Sequence, residues 1–394
     1  MRIGHCIHGL GLGGAQKVIA TLVRGAPDCD RHFVYSCSDG ALRSEIEDAG
    51  AGVRIVPRSV SKFDPTWIWN LSRAMRRDSV DLIHTHLFGD SLHGYLAARM
   101  GKRIPVVMTI HNRLDMMNRV HQLGYRWLFS RSICMVACSR GVRESMLSDR
   151  VRRPSHKGNR RHIHVIPNGI ERDDGLEQSH TQQSPEIIRK KLGVSGTVIA
   201  AIGRLERQKG HRHLIDAFSR IRRDRPELDV VLLIVGEGSL MNALITQTEA
   251  AAIGDRVRFL GFEPNVRTLL KAVDIVVFSS LYEGLPIALL EAMADGKCIV
   301  GTNIPGISEA VLDGKEGLLA SPERSDQLSD ALLRAIEDRN LRRQLGDRAR
   351  ERFRNEFTAS KMVQDYLRLY QGLLSTSGNS GAGGMTPQGS ASDS

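Results

Sequence analysis

Two carboxylates stand eight residues apart in the segment Leu281-Tyr282-Glu283-Gly284-Leu285-Pro286-Ile287-Ala288-Leu289-Leu290-Glu291-Ala292-Met293-Ala294. A fully helical stretch rising about 1.5 Å per residue would separate Glu283 from Glu291 by roughly 12 Å. That approximates the span from the sugar hydroxyls to the ribose hydroxyls of a nucleotide sugar. Pro286 suits a first helical turn, and Leu285, Ala288, Leu289, Ala292 and Met293 recur as a buried stripe that leaves Glu291 outside it. A helix N-terminus between the two acids offers free amides and partial positive charge to a diphosphate. One acid per polyol and a dipole for the anion make a coherent site. As bare spacing, the same pair describes two solvated surface acids.

A second group of residues could complement that charge. In Ala201-Ile202-Gly203-Arg204-Leu205-Glu206-Arg207-Gln208-Lys209-Gly210, Arg204 and Lys209 follow a predicted strand and precede a helix from His211. Cations there neutralise a pyrophosphate, and guanidinium makes paired contacts with its oxygens; Arg207 competes for the role. A third candidate, Gly9-Leu10-Gly11-Leu12-Gly13-Gly14, lies between the first predicted strand and the helix Ala15 to Arg24. Small residues let the backbone approach a ligand, and the helix N-terminus attracts an anion. Gly9, Gly11 and Gly14 also satisfy G-x-G-x-x-G. With Asp39 as a ribose-binding acid, they keep an NAD-dependent oxidoreductase open as a rival.

Metal-ligating patterns are sparse. His84 and His86 form an H-x-H pair that no neighbouring carboxylate or cysteine completes, so both read as structural. Asp28-Cys29-Asp30 fits a D-x-D pattern but precedes the second predicted strand, and reads as solvated loop. No metal and no cofactor is expected. The six cysteines lack C-x-x-C spacing and read as reduced, mostly buried thiols.

The elements that position these residues follow from patterning. A chain of 394 residues, 41% hydrophobic and 25% charged, is an ordinary globular composition with room for two or three domains. Strands are predicted over Ile3 to Ile7, His32 to Cys37, Val53 to Val56, Leu82 to His84, Val106 to Ile110, Ile133 to Cys138 and Ile163 to Ile166. After a polar linker over Glu171 to Ser184 they resume at Thr197 to Ile202, Val230 to Val235, Val257 to Leu260, Ile275 to Phe278, Ile299 to Gly301 and Leu318-Leu319. Helical patterns lie between them. That alternation requires right-handed crossovers, mainly parallel sheets and ligands at the carboxyl ends of the strands. The expected division is an N-terminal domain over 1–170, a C-terminal domain over 171–357, a closing helix over 358–374 and a disordered tail over 375–394.

Taken in order, "GLGLGGAQK", "VIPNGI", "GRLERQKG", "LLIVGEG" and "SSLYEGLPIALLEAMADGKCIVGTNIPG" resemble the family-4 glycosyltransferases, over nearly all of residues 1–372. The resemblance implies an α/β GT-B fold: two Rossmann-like, doubly wound domains facing across a cleft, with the last helix returning to the first domain. It implies a nucleotide-sugar donor and transfer with retention. Carried over, Glu283 hydrogen-bonds the donor sugar, Glu291 the ribose, and Arg204 with Lys209 the diphosphate. Amides at Gly284 and Leu285 bind the distal phosphate, Gly13 and Gly14 face it from the other domain, and His111 in "VVMTIHN" is the cleft histidine near the reacting centre. The family often has Glu where this chain has Gln16.

The net charge of +11 is uneven: residues 1–170 carry +13 and the remainder −2, and residues 99–161 hold 15 basic against 3 acidic side chains. That field suits an anionic membrane surface or a phosphorylated acceptor, or simply a solvated face. No nucleic-acid motif accompanies it. Trp127-Leu128-Phe129 on a predicted helix suggests bilayer docking, with core packing an equal account. No aliphatic run exceeds six residues and no signal sequence is evident, so the expected address is cytoplasmic, peripheral at the inner face of the membrane. The whole reads as a metal-independent retaining glycosyltransferase acting on a lipid-linked or saccharide acceptor for cell-surface polysaccharide or glycolipid, with UDP-sugars favoured over GDP-mannose. A nucleotide-sugar-binding protein without turnover is the alternative from another class.

Overall fold

The computed structural model describes residues 1–58, 64–100, 103–131, 133–148, 163–171 and 184–379. The first sheet contains β1 (Arg2–Gly9), β2 (Arg31–Ser38), β3 (Gly52–Ile55), β4 (Leu82–His86), β5 (Val106–Ile110), β6 (Cys134–Ala137) and β7 (Ile163–Val165), in the order β3-β2-β1-β4-β5-β6-β7. The second contains β8 (Thr197–Ile202), β9 (Val230–Val235), β10 (Val257–Gly261), β11 (Ile275–Phe278), β12 (Cys298–Thr302) and β13 (Gly317–Ala320), in the order β10-β9-β8-β11-β12-β13. β8 pairs in parallel with both β9 and β11, and β1 with both β2 and β4. Each predicted strand is therefore present, within two residues at either end.

Central strands with no polar alternation become fully buried parallel strands, because helices cover both faces. β9 reads Val-Val-Leu-Leu-Ile-Val and is buried at every residue. Leu214, Phe218 and Ile221 of the helix His211–Asp224 pack with Leu232, Ile234 and Val277 in the second sheet's core. Helix starts carry local signals. Asp64 caps Pro65–Arg77, accepting from the amides of Thr66 at 2.9 Å and Trp67 at 3.2 Å, with proline in the first turn.

By compactness, 1–109, 128–135 and 363–379 form one unit, and 110–127 with 136–362 the other, within the described residues. The sheets change over between Val165 and Thr197, the interval in which the linker is expected; its residues 172–183 lie outside the described set. The closing helix spans Ala359–Asn379, so residues 375–379 of the expected tail are helical, and 380–394 lie outside the described residues. In the first unit this helix packs on the first sheet: Tyr370 Oη lies 2.6 Å from His84 Nδ1, and Tyr366 Oη lies 2.9 Å from Thr109 Oγ1.

In the second unit, Glu309 caps a helix distant in sequence. Its carboxylate accepts the amides of Arg140 and Gly141, both at 2.6 Å, at the start of Arg140–Leu147. Glu309→Ala removes two charge-assisted acceptors from that N-terminus, and stability should fall by about 1–3 kcal/mol, read as a lower urea midpoint.

Candidate functional site

Strand order reverses at β8 and β11 in the second sheet, and the carboxyl ends of strands flanking such a reversal are where open α/β sheets bind ligands. The loops leaving these two strands are Gly203 to Gly210 and Ser279 to Pro286, the two segments singled out for chemistry. They are joined to one another. Lys209 Nζ donates to Glu283 Oε1 at 2.5 Å, Ser280 Oγ donates to the same oxygen at 2.7 Å, and Gln208 Nε2 donates to Glu283 Oε2 at 3.2 Å. The backbone is stitched as well: Leu281 N–H to Gln208 C=O at 2.8 Å, and Ser279 Oγ to Lys209 C=O at 2.8 Å. Gly210 allows the approach, with φ +62° and an added Cβ only 2.2 Å from the Ser279 carbonyl oxygen.

Glu283 is in the loop ahead of the helix rather than on it. The helix is Ile287–Ala294, with Pro286 as its N-cap, so the fully helical 12 Å estimate does not apply to this segment. Glu291 corrects a second expectation: it is 7% exposed, and Glu283 6%, so neither is a solvated surface acid. Nearly the whole circumference of Ile287–Ala294 is buried: Ile287, Leu289, Leu290, Glu291, Ala292 and Met293 all are. The stripe fails because this helix is enclosed. Arg204, at the end of β8, is exposed.

His111 follows β5, and its carbonyl oxygen would be 2.0 Å from a Cβ placed on Gly284. The two segments are in backbone contact, which requires glycine at 284. Asn168 Nδ2 donates to the Leu285 carbonyl at 2.9 Å. Desolvation drives the His111 imidazole down to about 4, and desolvation, followed by the Lys209 charge, does the same to His211. Both are neutral near pH 7. Their folded values lie below the ordinary 6.5, so the unfolded chain binds more protons in between. Stability is full above that range and is lost as pH falls through it toward 4. For His211, 4% exposed, the loss reaches about 3 kcal/mol. Urea midpoints measured from about pH 7 down to about pH 4.5 should fall steadily.

The first sheet has its own reversal at β1 and β4. The glycine-rich loop leaves β1 there, with Gly13 as the N-cap of Gly14–Arg24. Gln16 has a role that its sequence position did not reveal: Nε2 donates to the Gly9 carbonyl at 2.9 Å and closes the loop. Asp90, in the first turn after β4, accepts the His8 amide at 2.9 Å, and its burial raises the carboxyl to about 8. Asp39 is exposed and accepts from the Gly40 amide and from Arg43, at 2.8 Å each. Asp30 is not solvated loop, because it is ion-paired with the α-amino group of Met1 at 2.5 Å. Leu128 is core, while Trp127 is 39% exposed. The basic residues 152, 153, 160 and 161 lie outside the described residues.

Residues 184–352 match the model described as glycosyl transferases group 1, and residues 12–174 match glycosyltransferase family 4. The chain is 27% identical over 319 residues to N-acetyl-alpha-D-glucosaminyl L-malate synthase of Bacillus anthracis, covering 79% of this chain and 80% of that one. It is 27% identical to the UDP-Gal:alpha-D-GlcNAc-diphosphoundecaprenol alpha-1,3-galactosyltransferase of Escherichia coli, covering 91% and 94%. Among solved structures, Anabaena HepE in complex with UDP and glucose superposes with a TM-score of 0.82 at 22% identity, covering 94% and 99%. With two Rossmann-like parallel sheets and the two family matches lying one on each half, the chain belongs to the family-4 glycosyltransferases of GT-B fold.

Proposed function

We propose that this glycosyltransferase moves a sugar, with retention and without a divalent metal, from a UDP-sugar to a lipid-linked or saccharide acceptor in cell-surface polysaccharide or glycolipid assembly. The observation that carries the reading is Glu283, buried and ion-paired to Lys209 at the reversal of the second sheet, with buried Glu291 on the helix that follows. Glu283 holds the donor sugar, Glu291 the ribose, and Arg204 with Lys209 the diphosphate. The amides of Gly284 and Leu285 take the distal phosphate, Gly13 and Gly14 supply further backbone amides, and His111 contacts the sugar near the reacting carbon. The bond from the anomeric carbon to the diphosphate breaks, the acceptor oxygen joins that carbon on the same face, and its proton passes to the departing phosphate. Fixed positive charge and oriented amides stabilise the leaving group. The UDP and glucose in HepE and the UDP-Gal donor of the Escherichia coli relative support uridine as the base; that relative's alpha-1,3 linkage supports retention. GDP-mannose is the second donor to test.

The test is titration of tag-free protein with UDP-glucose, UDP-galactose, UDP-N-acetylglucosamine, GDP-mannose and NAD in EDTA, with turnover and the anomeric proton coupling of any product read by NMR. Chelator-insensitive binding of one nucleotide sugar and an α-product are expected. Tight binding of NAD alone, or donor binding with no turnover on lipid-linked or saccharide acceptors, overturns the proposal.

The acceptor side includes a surface suited to an anionic bilayer. On the helix Arg119–Phe129, Val120, Leu123 and Trp127 are 74%, 60% and 39% exposed on one face, while Tyr125 and Leu128 are buried on the other. Arg119, Arg126 and Arg131 accompany the stripe, in the stretch with fifteen basic and three acidic residues. Among the described residues no helix is long and apolar enough to cross a membrane, and the proposed contact is peripheral, through this exposed stripe. Val120→Ser with Leu123→Ser should weaken sedimentation with phosphatidylglycerol vesicles tenfold or more, and added salt should weaken the wild type as well.

A further inference from the structure

His84 and His86, left as an incomplete pair by sequence, gain a third imidazole in the first sheet. His5 on β1 is in register with His84 on β4, and parallel pairing puts both side chains on one face, with His86 two residues further along the same face. One ligating nitrogen from each of His5, His84 and His86 lies within 4.8 Å of the other two, and all three residues are fully buried. His32 on β2 joins as a fourth imidazole, its Nδ1 2.9 Å from His5 Nε2. None of the four belongs to the site described above.

Proton counting shows what the group lacks. A neutral imidazole carries one N–H and one lone pair, and a single proton serves the contact between His5 and His32. Among the described residues, His5 Nδ1 and His32 Nε2 are both buried without a hydrogen-bond partner. Whichever ring donates, one buried donor and one buried acceptor remain unsatisfied, and each costs about 1–3 kcal/mol. A cation on His5 Nδ1 would occupy the lone pair and fix the proton on Nε2, where it donates to His32. An imidazole ligand whose other nitrogen is held by a polar neighbour is the usual arrangement around protein-bound metals. His84 shows it too, with Nε2 held by Thr109 Oγ1 at 2.7 Å. Its Nδ1 lies 2.6 Å from the Tyr370 hydroxyl, a contact that a metal bond would replace, leaving that oxygen as a candidate for a fourth position.

We infer that His5, His84 and His86 form a structural site for a borderline divalent cation of the zinc type, which would tie β1 and β4 to the helix Ala359–Asn379. Three imidazoles and no thiolate favour zinc, copper or nickel over calcium or magnesium. The site adds to the transfer chemistry proposed above and does not depend on it, so its test reads metal content and ligand field rather than turnover. Tag-free full chain is loaded with Zn²⁺, dialysed against a chelating resin and assayed for metal. One equivalent per chain is expected, together with a rise in Tm of several degrees that prolonged chelation reverses. His5→Gln and His86→Gln should each lose that equivalent. Because either variant could fail to fold, the wild type is also loaded with Co²⁺, where intense visible bands report tetrahedral nitrogen ligation. A wild type that retains no metal after dialysis, a cobalt complex with the weak bands of a hexa-aquo ion, or a folded variant that holds metal as well as the wild type overturns the inference.

Discussion

With Glu283 in its proposed role beside the donor sugar, Glu283→Gln should lower kcat/KM by about 10²–10³-fold, the usual scale for removing one preorganised electrostatic contact at a reacting centre. Glutamine keeps the shape of the side chain and an oxygen able to accept from Lys209 and Ser280. The loss therefore isolates the charge. It also leaves Lys209, whose side chain is 17% exposed, without its counter-ion. Breaking a buried pair costs about 3–5 kcal/mol, and the partial exposure of Lys209 places this case at the lower end. A double variant separates the two effects. Glu283→Gln with Lys209→Met removes both charges, and should recover most of the stability while remaining as inactive as the single variant or more so. Recovery of turnover along with stability would mean that the pair acts only as a strut.

Gly284→Ala is expected to cost about 3 kcal/mol or more, because the added carbon meets backbone that cannot swing aside. Its nearest neighbours would be the His111 carbonyl oxygen at 2.0 Å and Cys138 Sγ at 2.9 Å. Relief requires moving the segment after β5, the loop of Glu283 or both. At 2–4 °C per kcal/mol for units of this size, Tm should drop by about 10 °C. Displacing the loop by a fraction of an ångström should also cost turnover on the order of 10²-fold, since catalytic geometry tolerates little error. Gly89→Ala is the control: nothing lies within 4 Å of its added carbon, so stability should hold or rise slightly.

Sequence patterning reached the secondary structure well because parallel strands buried on both faces leave an unbroken apolar run, as at Val230–Val235. Capping chemistry was also legible, as at Asp64-Pro65. The loops to watch were legible for the same reason, since they follow the strands at which the order reverses. Pair identity was not. Lys209 and Glu283 were read as serving different parts of a ligand, yet they are bonded to one another across 74 residues of sequence. Neither Ser280 nor Gln208 is marked by a local pattern: Ser280 bonds Glu283 three residues on through a loop geometry that spacing does not reveal, and Gln208 bonds it from the loop of a different strand. Glu291 defeated helical periodicity because that argument assumes one solvated face, and this helix has none. His5 escaped notice for a simpler reason. Register between β1 and β4 places it beside His84, and register is not written in either strand alone.

The contact between Tyr370 and His84 spans 286 residues of chain, and that between Tyr366 and Thr109 spans 257. During vectorial synthesis the first sheet therefore emerges long before the helix that covers this face of it. Until residues near 370 leave the ribosome, the face of the first sheet around His84 and Thr109 lacks the helix that covers it and is open to solvent or a chaperone. The second sheet, whose strands all lie between Thr197 and Ala320, is fully synthesised before that helix is. A nascent chain stalled before residue 359 should thus expose a protease-sensitive first half beside a resistant second one, the reverse of the order in which they were made.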